Sequence, residues 1–360
     1  MSTRIGILTG GGDCPGLNGV IRAVTLHARH TFGWEVVGIR NGFEGLYEEE
    51  YLDLTVQNVH HILPRGGTML GSSNRANPFA YPVKLPDGRV EIHDVSKRCM
   101  ENLSKLDLHG LIVVGGDGTM SFAQKFIQQG ATRIVGVPKT IDNDLEATVM
   151  TFGFQSAVAF ATDCVDRLHS TAKSHGRIMV VEVMGRYAGW IALGAGVAGG
   201  ADAIVIPEIP YDLDRLAADL KARTDRRGYA VVVVAEGAAP KGGGVSVKAR
   251  EIGRAEQLGG IGDRMAAELG PLTGRETRAV VLGHLLRGGS PVALDRLLGL
   301  NFGAAAIRAI AEGKRDVMVA LSPPDVDYVP LADAIKRTRV VPPNAHVVLT
   351  ARTLGISFGD

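Results

Sequence analysis

The pattern that most restricts the fold of this chain is a recurrence of short, continuous apolar runs, at residues 5–9, 35–40, 111–114, 133–137, 178–183, 203–206, 229–235 and 279–282. They are rich in Ile and Val and lead into glycine-bearing corners and helical patterns. A strand with one wet face alternates apolar and polar residues, whereas a run that stays apolar is covered on both faces. Such strands, separated by helices, predict an α/β protein of two Rossmann-like, three-layer domains with mostly parallel sheets. Parallel sheets take ligands beyond the carboxyl ends of their strands, so chemistry is sought first at the corner after each run.

The chain's 360 residues suffice for two domains with filled cores. Its formal net charge of +1 provides no global field toward nucleic acid or membrane, so arginine clusters need local reasons. Aromatic residues make up only 5%, too few for base-stacking platforms. The most apolar stretch, 190–206, is interrupted by glycines and Asp202 and reads as a buried helix-to-strand passage, not a membrane span. Cys14, Cys99 and Cys164 form neither a zinc spacing nor a disulfide framework. With an opening strand too short for a signal-peptide core, they predict a reducing, cytoplasmic compartment. The acidic run 48–50 reads as a solvated turn.

Three corners carry chemistry. Gly10-Gly11-Gly12-Asp13-Cys14-Pro15-Gly16 lies between the first strand and a helix starting near Leu17. Its glycines let backbone amides approach an anion, although a plain strand-to-helix turn has the same composition. Pro15 breaks the dinucleotide fingerprint, which argues against an oxidoreductase. Gly115-Gly116-Asp117-Gly118-Thr119 ends another strand with a carboxylate at a helix N-terminus. That Asp can cap the helix or hold Mg²⁺ beside phosphates. Pro138-Lys139-Thr140-Ile141-Asp142-Asn143-Asp144 puts two carboxylates, a hydroxyl and a cation in one short loop. Phosphoryl transfer to an alcohol needs a proton acceptor and cationic cover for the moving oxygens, which Asp142 and Lys139 with Thr140 can supply.

These corners resemble the bacterial phosphofructokinases, from about residue 5 to 303. The resemblance includes Gly66-Gly67-Thr68, Val183-Met184-Gly185-Arg186, Gly274-Arg275-Glu276-Thr277-Arg278 and Gly283-His284-Leu285-Leu286-Arg287-Gly288-Gly289-Ser290-Pro291. It implies a donor domain of 1–152 plus about 286–320 and a fructose 6-phosphate domain of 153–285 plus about 321–360. It further implies Asp142 as the base, Thr140 beside the transferring group, Asp144, Arg186 and Lys139 as catalytic companions, and Asp117 as the Mg²⁺ residue. Gly11, Arg75, Gly116, Asp117, Gly118 and Thr119 would cradle the donor. Thr140, Asp142, Met184, Gly185, Arg186, Glu236, His284 and Arg287 would hold the sugar phosphate. Arg177 and Arg278 match positions that reach the 6-phosphate from a neighbouring subunit, implying a homo-oligomer, dimer or tetramer, with shared sites. The last forty residues match the family poorly, and His169 stands where its allosteric members carry an arginine.

Donors in this family divide between ATP and pyrophosphate. Gly118 is the residue of ATP enzymes and Lys139 that of pyrophosphate enzymes, so the chain is mixed. An Asp at 118 would repel an α-phosphate and occupy its path, whereas Gly leaves space and neutrality. The expectation is an ATP-dependent 6-phosphofructokinase; the alternatives are a pyrophosphate-dependent enzyme and a catalytically silent sugar-phosphate sensor. Retention of Asp117, Asp142, Asp144 and Arg186 together argues against silence. Lipid and NAD kinases share the 116–119 loop but leave the other motifs unexplained.

Overall fold

The run at 5–9 forms strand β1 (Arg4–Thr9), in which Ile5, Ile7 and Leu8 are fully buried. Burial on both faces is what an unbroken apolar run requires. The structure, a computed structural model, describes residues 2–73, 76–85, 87–131, 133–249 and 257–360. After β1 come α1 (Leu17–Phe32), β2 (Glu35–Ile39), α2 (Phe43–Glu48), β3 (Tyr51–Leu54), β4 (Tyr81–Lys84), β5 (Val90–His93) and α3 (Ser96–Lys105). Next are β6 (Gly110–Gly115), α4 (Asp117–Gln128), β7 (Ile134–Thr140), β8 (Phe152–Gly153) and α5 (Phe154–His175). The chain continues through β9 (Ile178–Val183), α6 (Trp190–Ala198), β10 (Ala203–Val205), α7 (Leu213–Arg227), β11 (Ala230–Ala235), β12 (Val247–Ala249), β13 (Gln257–Leu258), α8 (Ile261–Thr273) and β14 (Thr277–Val281). A 3₁₀ turn (Gly283–Arg287), α9 (Ala293–Ala311), β15 (Val317–Ser322), β16 (Asp325–Pro330), α10 (Leu331–Ala334) and α11 (His346–Thr353) complete it.

Two compact units result: Met1–Ile141, Leu145–Gly153 and Arg287–Arg337 form the first, and Asp142–Asp144, Phe154–Leu286 and Thr338–Asp360 the second. The crossing expected near 320 falls at Arg337, because β15 and β16 extend the first unit's sheet as a hairpin joined to β7. That sheet has the order β16-β15-β7-β6-β1-β2-β3, with β8 paired to β7. Among the described residues of this sheet, β3 and β16 run antiparallel to their neighbours and the other pairs are parallel. The second unit's sheet, β10-β11-β9-β14, is wholly parallel.

All eight apolar runs are strands. Eight further strands, β3, β4, β5, β8, β12, β13, β15 and β16, lie outside those runs; among them β15 is a six-residue interior strand whose apolar stretch 317–321 has the same buried character as most of the eight runs. Most of the others are edge or hairpin strands with partly exposed faces or only two residues, and so lack a continuous apolar run. The 190–206 stretch divides into α6 and β10 as expected, and 48–50 is exposed. No helix among the described residues is long and apolar enough to cross a membrane.

Candidate active site

Within the first unit, β7, β6 and β1 are parallel neighbours, and their carboxyl ends bring the three corner motifs side by side. Gly115 pairs with Pro138, Thr9 pairs with Val114, and the Gly10 amide donates to the Val114 carbonyl at 2.9 Å. The chain leaves β1 toward β2 on one side and later returns to β6 on the other. That makes the gap between β1 and β6 a topological switch point, where such sheets bind ligands.

At the first corner Gly11 has φ 75°, a left-handed conformation that glycine adopts without strain. Its amide makes a long bond, 3.2 Å, to the Ser73 carbonyl, and its own carbonyl accepts from Ser72 Oγ. Thr9 Oγ1 donates to the Gly71 carbonyl at 2.8 Å. Asn18 Nδ2 donates to the Arg65 carbonyl at 3.1 Å, while Asn18 Oδ1 accepts from the Met69 amide at 2.8 Å. Thr9, Asn18 and Ser72 therefore stitch the loop around 65–73 to the corner. Arg75, expected at the end of this loop, lies outside the described residues.

Two cations flank the corner. Lys139 is buried, and its Nζ donates to the Gly12 carbonyl. Arg287, expected among the sugar-phosphate ligands, belongs to the first unit, where its Nη1 donates to the Asp13 carbonyl at 3.1 Å. Cys14 lies behind them, fully buried. Its desolvation pushes the thiol up to about 12 despite the cations of Lys139 and Arg287, leaving it unreactive.

At the second corner Gly116, not Asp117, is the N-cap of α4. Asp117 is the helix's first residue, exposed, with Oδ1 accepting the Gly118 amide at 2.7 Å. Beyond its chain neighbours and the backbone of α4, a Cβ added to Gly118 would meet no heavy atom of the described residues within 4 Å. Thr119 is buried beneath the glycines. At the third corner the Thr140 carbonyl accepts from Thr151 Oγ1 at 2.7 Å, and β8 pairs with Lys139 and Thr140. The chain then enters the second unit for Asp142–Asp144, turning at Asn143, φ 52°. Asp142 and Asp144 are half-buried.

The second unit repeats the logic with β11, β9 and β14. Glu236 follows β11, Met184, Gly185 and Arg186 follow β9, and His284 lies in the turn after β14. The Glu236 amide donates to Val183 at 2.9 Å, the Gly237 amide to Gly185 at 3.1 Å, and the Leu282 amide to Glu182 at 2.9 Å. Gly185 has φ 138°, which turns the chain so that Arg186 follows, its guanidinium 5.2 Å from the Tyr187 ring centroid. Met184 is buried, Arg186 and Glu236 are half-buried, and His284 is exposed.

Arg177 and Arg278 lie at the opposite, amino end of these strands. Both donate to Glu276, each at 2.7 Å, and hydrogen bonds from Arg177 and then Arg278 hold its carboxyl below the usual range. The six residues of β9 separate Arg177 from Met184, about 20 Å of extended chain. The two arginines therefore cannot serve the Met184–Glu236–His284 end of their own unit.

Thr9, Asn18, Ser72 and Thr151, which tie these corners together, lie outside the motifs read from sequence. A buried Asn one residue into an amphipathic helix was the available signal for Asn18; the others have none. Among the described residues no three His, Cys, Asp or Glu side chains cluster as a metal site.

The sequence profile of the family described as Phosphofructokinase matches residues 4–310. An ATP-dependent 6-phosphofructokinase of Chloroflexus aurantiacus is 50% identical, covering 99% of this chain and 98% of that one, so the likeness includes the last forty residues. A pyrophosphate–fructose 6-phosphate 1-phosphotransferase of Amycolatopsis methanolica is 47% identical over 95% of this chain and 97% of its own. The solved phosphofructokinase of Saccharomyces cerevisiae is 31% identical, with a TM-score of 0.76, covering 93% of this chain and 45% of that one.

Proposed function

This chain belongs to the phosphofructokinase family, and from that premise we propose that it is a 6-phosphofructokinase that transfers the terminal phosphoryl group of ATP to the 1-hydroxyl of fructose 6-phosphate. The observation that carries this reading is the convergence of the 10–13, 116–119 and 138–140 corners at three adjacent strand ends, with Lys139 and Arg287 beside them. Backbone amides and fixed cations at such a place bind a polyphosphate without reorganising.

Asp142 accepts the proton of the sugar hydroxyl, whose oxygen then bonds to the terminal phosphorus as the bridging bond to the leaving diphosphate breaks. Lys139 and Thr140 cover the moving oxygens, with Arg186 and Asp144 as companions. Met184, Gly185, Glu236 and His284 orient the sugar phosphate. Asp117, exposed on the first turn of α4, fits a Mg²⁺ ion, which commonly takes one or two carboxylates and completes its shell with phosphate oxygens and water. When bound, Mg²⁺ neutralises charge on the donor phosphates. Arg177 and Arg278 act on a neighbouring subunit's sugar phosphate, which their place at the far strand ends supports; the protein is then a homo-oligomer. Three free cysteines suit a reducing, cytoplasmic location.

Both donors occur among similar relatives, so the donor rests on the site itself. Among the described residues no side chain crowds the Cβ position of Gly118, which suits passage of an α-phosphate, and Lys139 is bonded to the Gly12 carbonyl at the first corner, a place where it serves either donor. A coupled assay comparing ATP with pyrophosphate at equal Mg²⁺ tests this. Turnover with ATP supports the reading, and preference for pyrophosphate reverses the donor assignment.

A further inference from the structure

The C-terminal return of the second unit makes contacts that the reaction as described does not use. The Arg339 amide donates to the Asp144 carbonyl at 2.8 Å. The Arg339 carbonyl accepts from Trp190 Nε1 at 3.1 Å, and its guanidinium lies 4.6 Å from the Trp190 ring centroid. Trp190 opens α6, four residues after Arg186. Two residues beyond Arg339, the Val341 amide donates to Glu208 Oε1 at 2.7 Å. The Glu208 carboxylate also takes the Gly189 amide, at 3.0 and 3.1 Å to its two oxygens. One short stretch of chain is thus bonded on one side to the loop of Asp142 and on the other, through Trp190 and Glu208, to the loop of Arg186.

Arg339 has no ion pair among the described residues, and its Nη1 is buried without a hydrogen-bond partner. A guanidinium placed to maximise stability would have both ends paired. Here the side chain is held by the Trp190 face and its backbone by two hydrogen bonds, a geometry that fixes where the main chain lies.

We propose that Arg339 and Glu208 are positioning residues for phosphoryl transfer: together they hold the Asp142–Asp144 loop and the Met184-Gly185-Arg186 loop in register. The inference rests on the reading of Asp142 and Arg186 given above. Misplacing a reacting group by about 1 Å can cost up to about 10²-fold in rate, so a tie of this kind has kinetic consequences.

The test uses the full-length chain with its preferred donor, reading kcat and KM for fructose 6-phosphate, sugar-phosphate binding by calorimetry, and thermal melting. Arg339→Pro deletes the amide bonded to Asp144 and is expected to lower kcat by about 10-fold or more while donor KM stays near wild type. Glu208→Ala is expected to raise KM for fructose 6-phosphate several-fold. Glu208→Gln should restore it, since one amide oxygen can accept from both Gly189 and Val341. Trp190→Phe, which keeps the ring and loses the Nε1 donor, serves if Arg339→Pro does not fold. Folded variants with unchanged kcat and KM overturn the proposal, as do losses that vanish when activity is expressed per folded molecule. Wild type without turnover on fructose 6-phosphate would instead refute the functional reading.

Discussion

Replacing Gly118 with Asp tests the donor assignment at a single position. Beyond its chain neighbours and the backbone of α4, no atom of the described residues lies within 4 Å of where the new Cβ would sit, so the side chain enters without displacing one of them. The position is the second residue of α4, where a carboxylate in the first helical turn is worth about 0.3–1 kcal/mol and replacement of glycine in a helix also helps. Thermal stability should therefore be unchanged or slightly higher. Bound ATP meets a different field. With its α-phosphate about 5 Å from the new carboxylate and an effective dielectric of about 20, repulsion is about 3 kcal/mol, or about 10²-fold in kcat/KM. Pyrophosphate ends before that point, and Lys139 stays at the first corner. Steady-state assays with each donor at equal free Mg²⁺, alongside a melting curve, give the answer. A stable Gly118→Asp enzyme with wild-type kcat/KM for ATP would show that the α-phosphate does not pass residue 118, and the donor argument would fall with it.

Asp142→Asn should leave fructose 6-phosphate affinity nearly intact and lower kcat by at least ~10²-fold, the scale of a lost general base; calorimetry and steady-state kinetics check it. Mixing Arg177→Ala with Asp142→Asn subunits should recover activity through hybrid sites, and no recovery after confirmed subunit exchange counts against sites shared between copies. Burial raises the Glu208 carboxyl, with the Val341 and Gly189 amides opposing the shift. The folded state then holds its proton more tightly than the unfolded chain, so this contribution to stability is present below the ordinary carboxylate range and fades as pH rises through the raised value. Melting from about pH 4 to about pH 8 should accordingly show a smaller loss in Glu208→Gln than in wild type, and parallel curves would exclude the linkage.

The strands were legible because a strand covered on both faces cannot alternate, and its apolar run can be read locally. The corners at their ends show in sequence as glycine beside carboxylate or cation, and strand pairing sets three of them side by side. The linear motif 283–291 that carries Arg287 spans the boundary between units, which falls between Leu286 and Arg287, and the Arg287 guanidinium bonds the Asp13 carbonyl. Nothing local in the chain marks that boundary. Likewise Arg177 and Arg278 are separated by a hundred positions, and only the pairing of β9 with β14 brings both to Glu276 at the end remote from Arg186. The same holds for Arg339, whose partners Asp144, Trp190 and the nearby Glu208 come from distant segments. By itself the sequence determined that the eight apolar runs form strands and, through its resemblance to a family, which reaction to expect, because these depend on short-range pattern and residue type. The order of strands, the assignment of arginines to units and ends, and the ties between loops were decided by tertiary structure, because they arise from pairings between segments that the chain's local energetics leave independent.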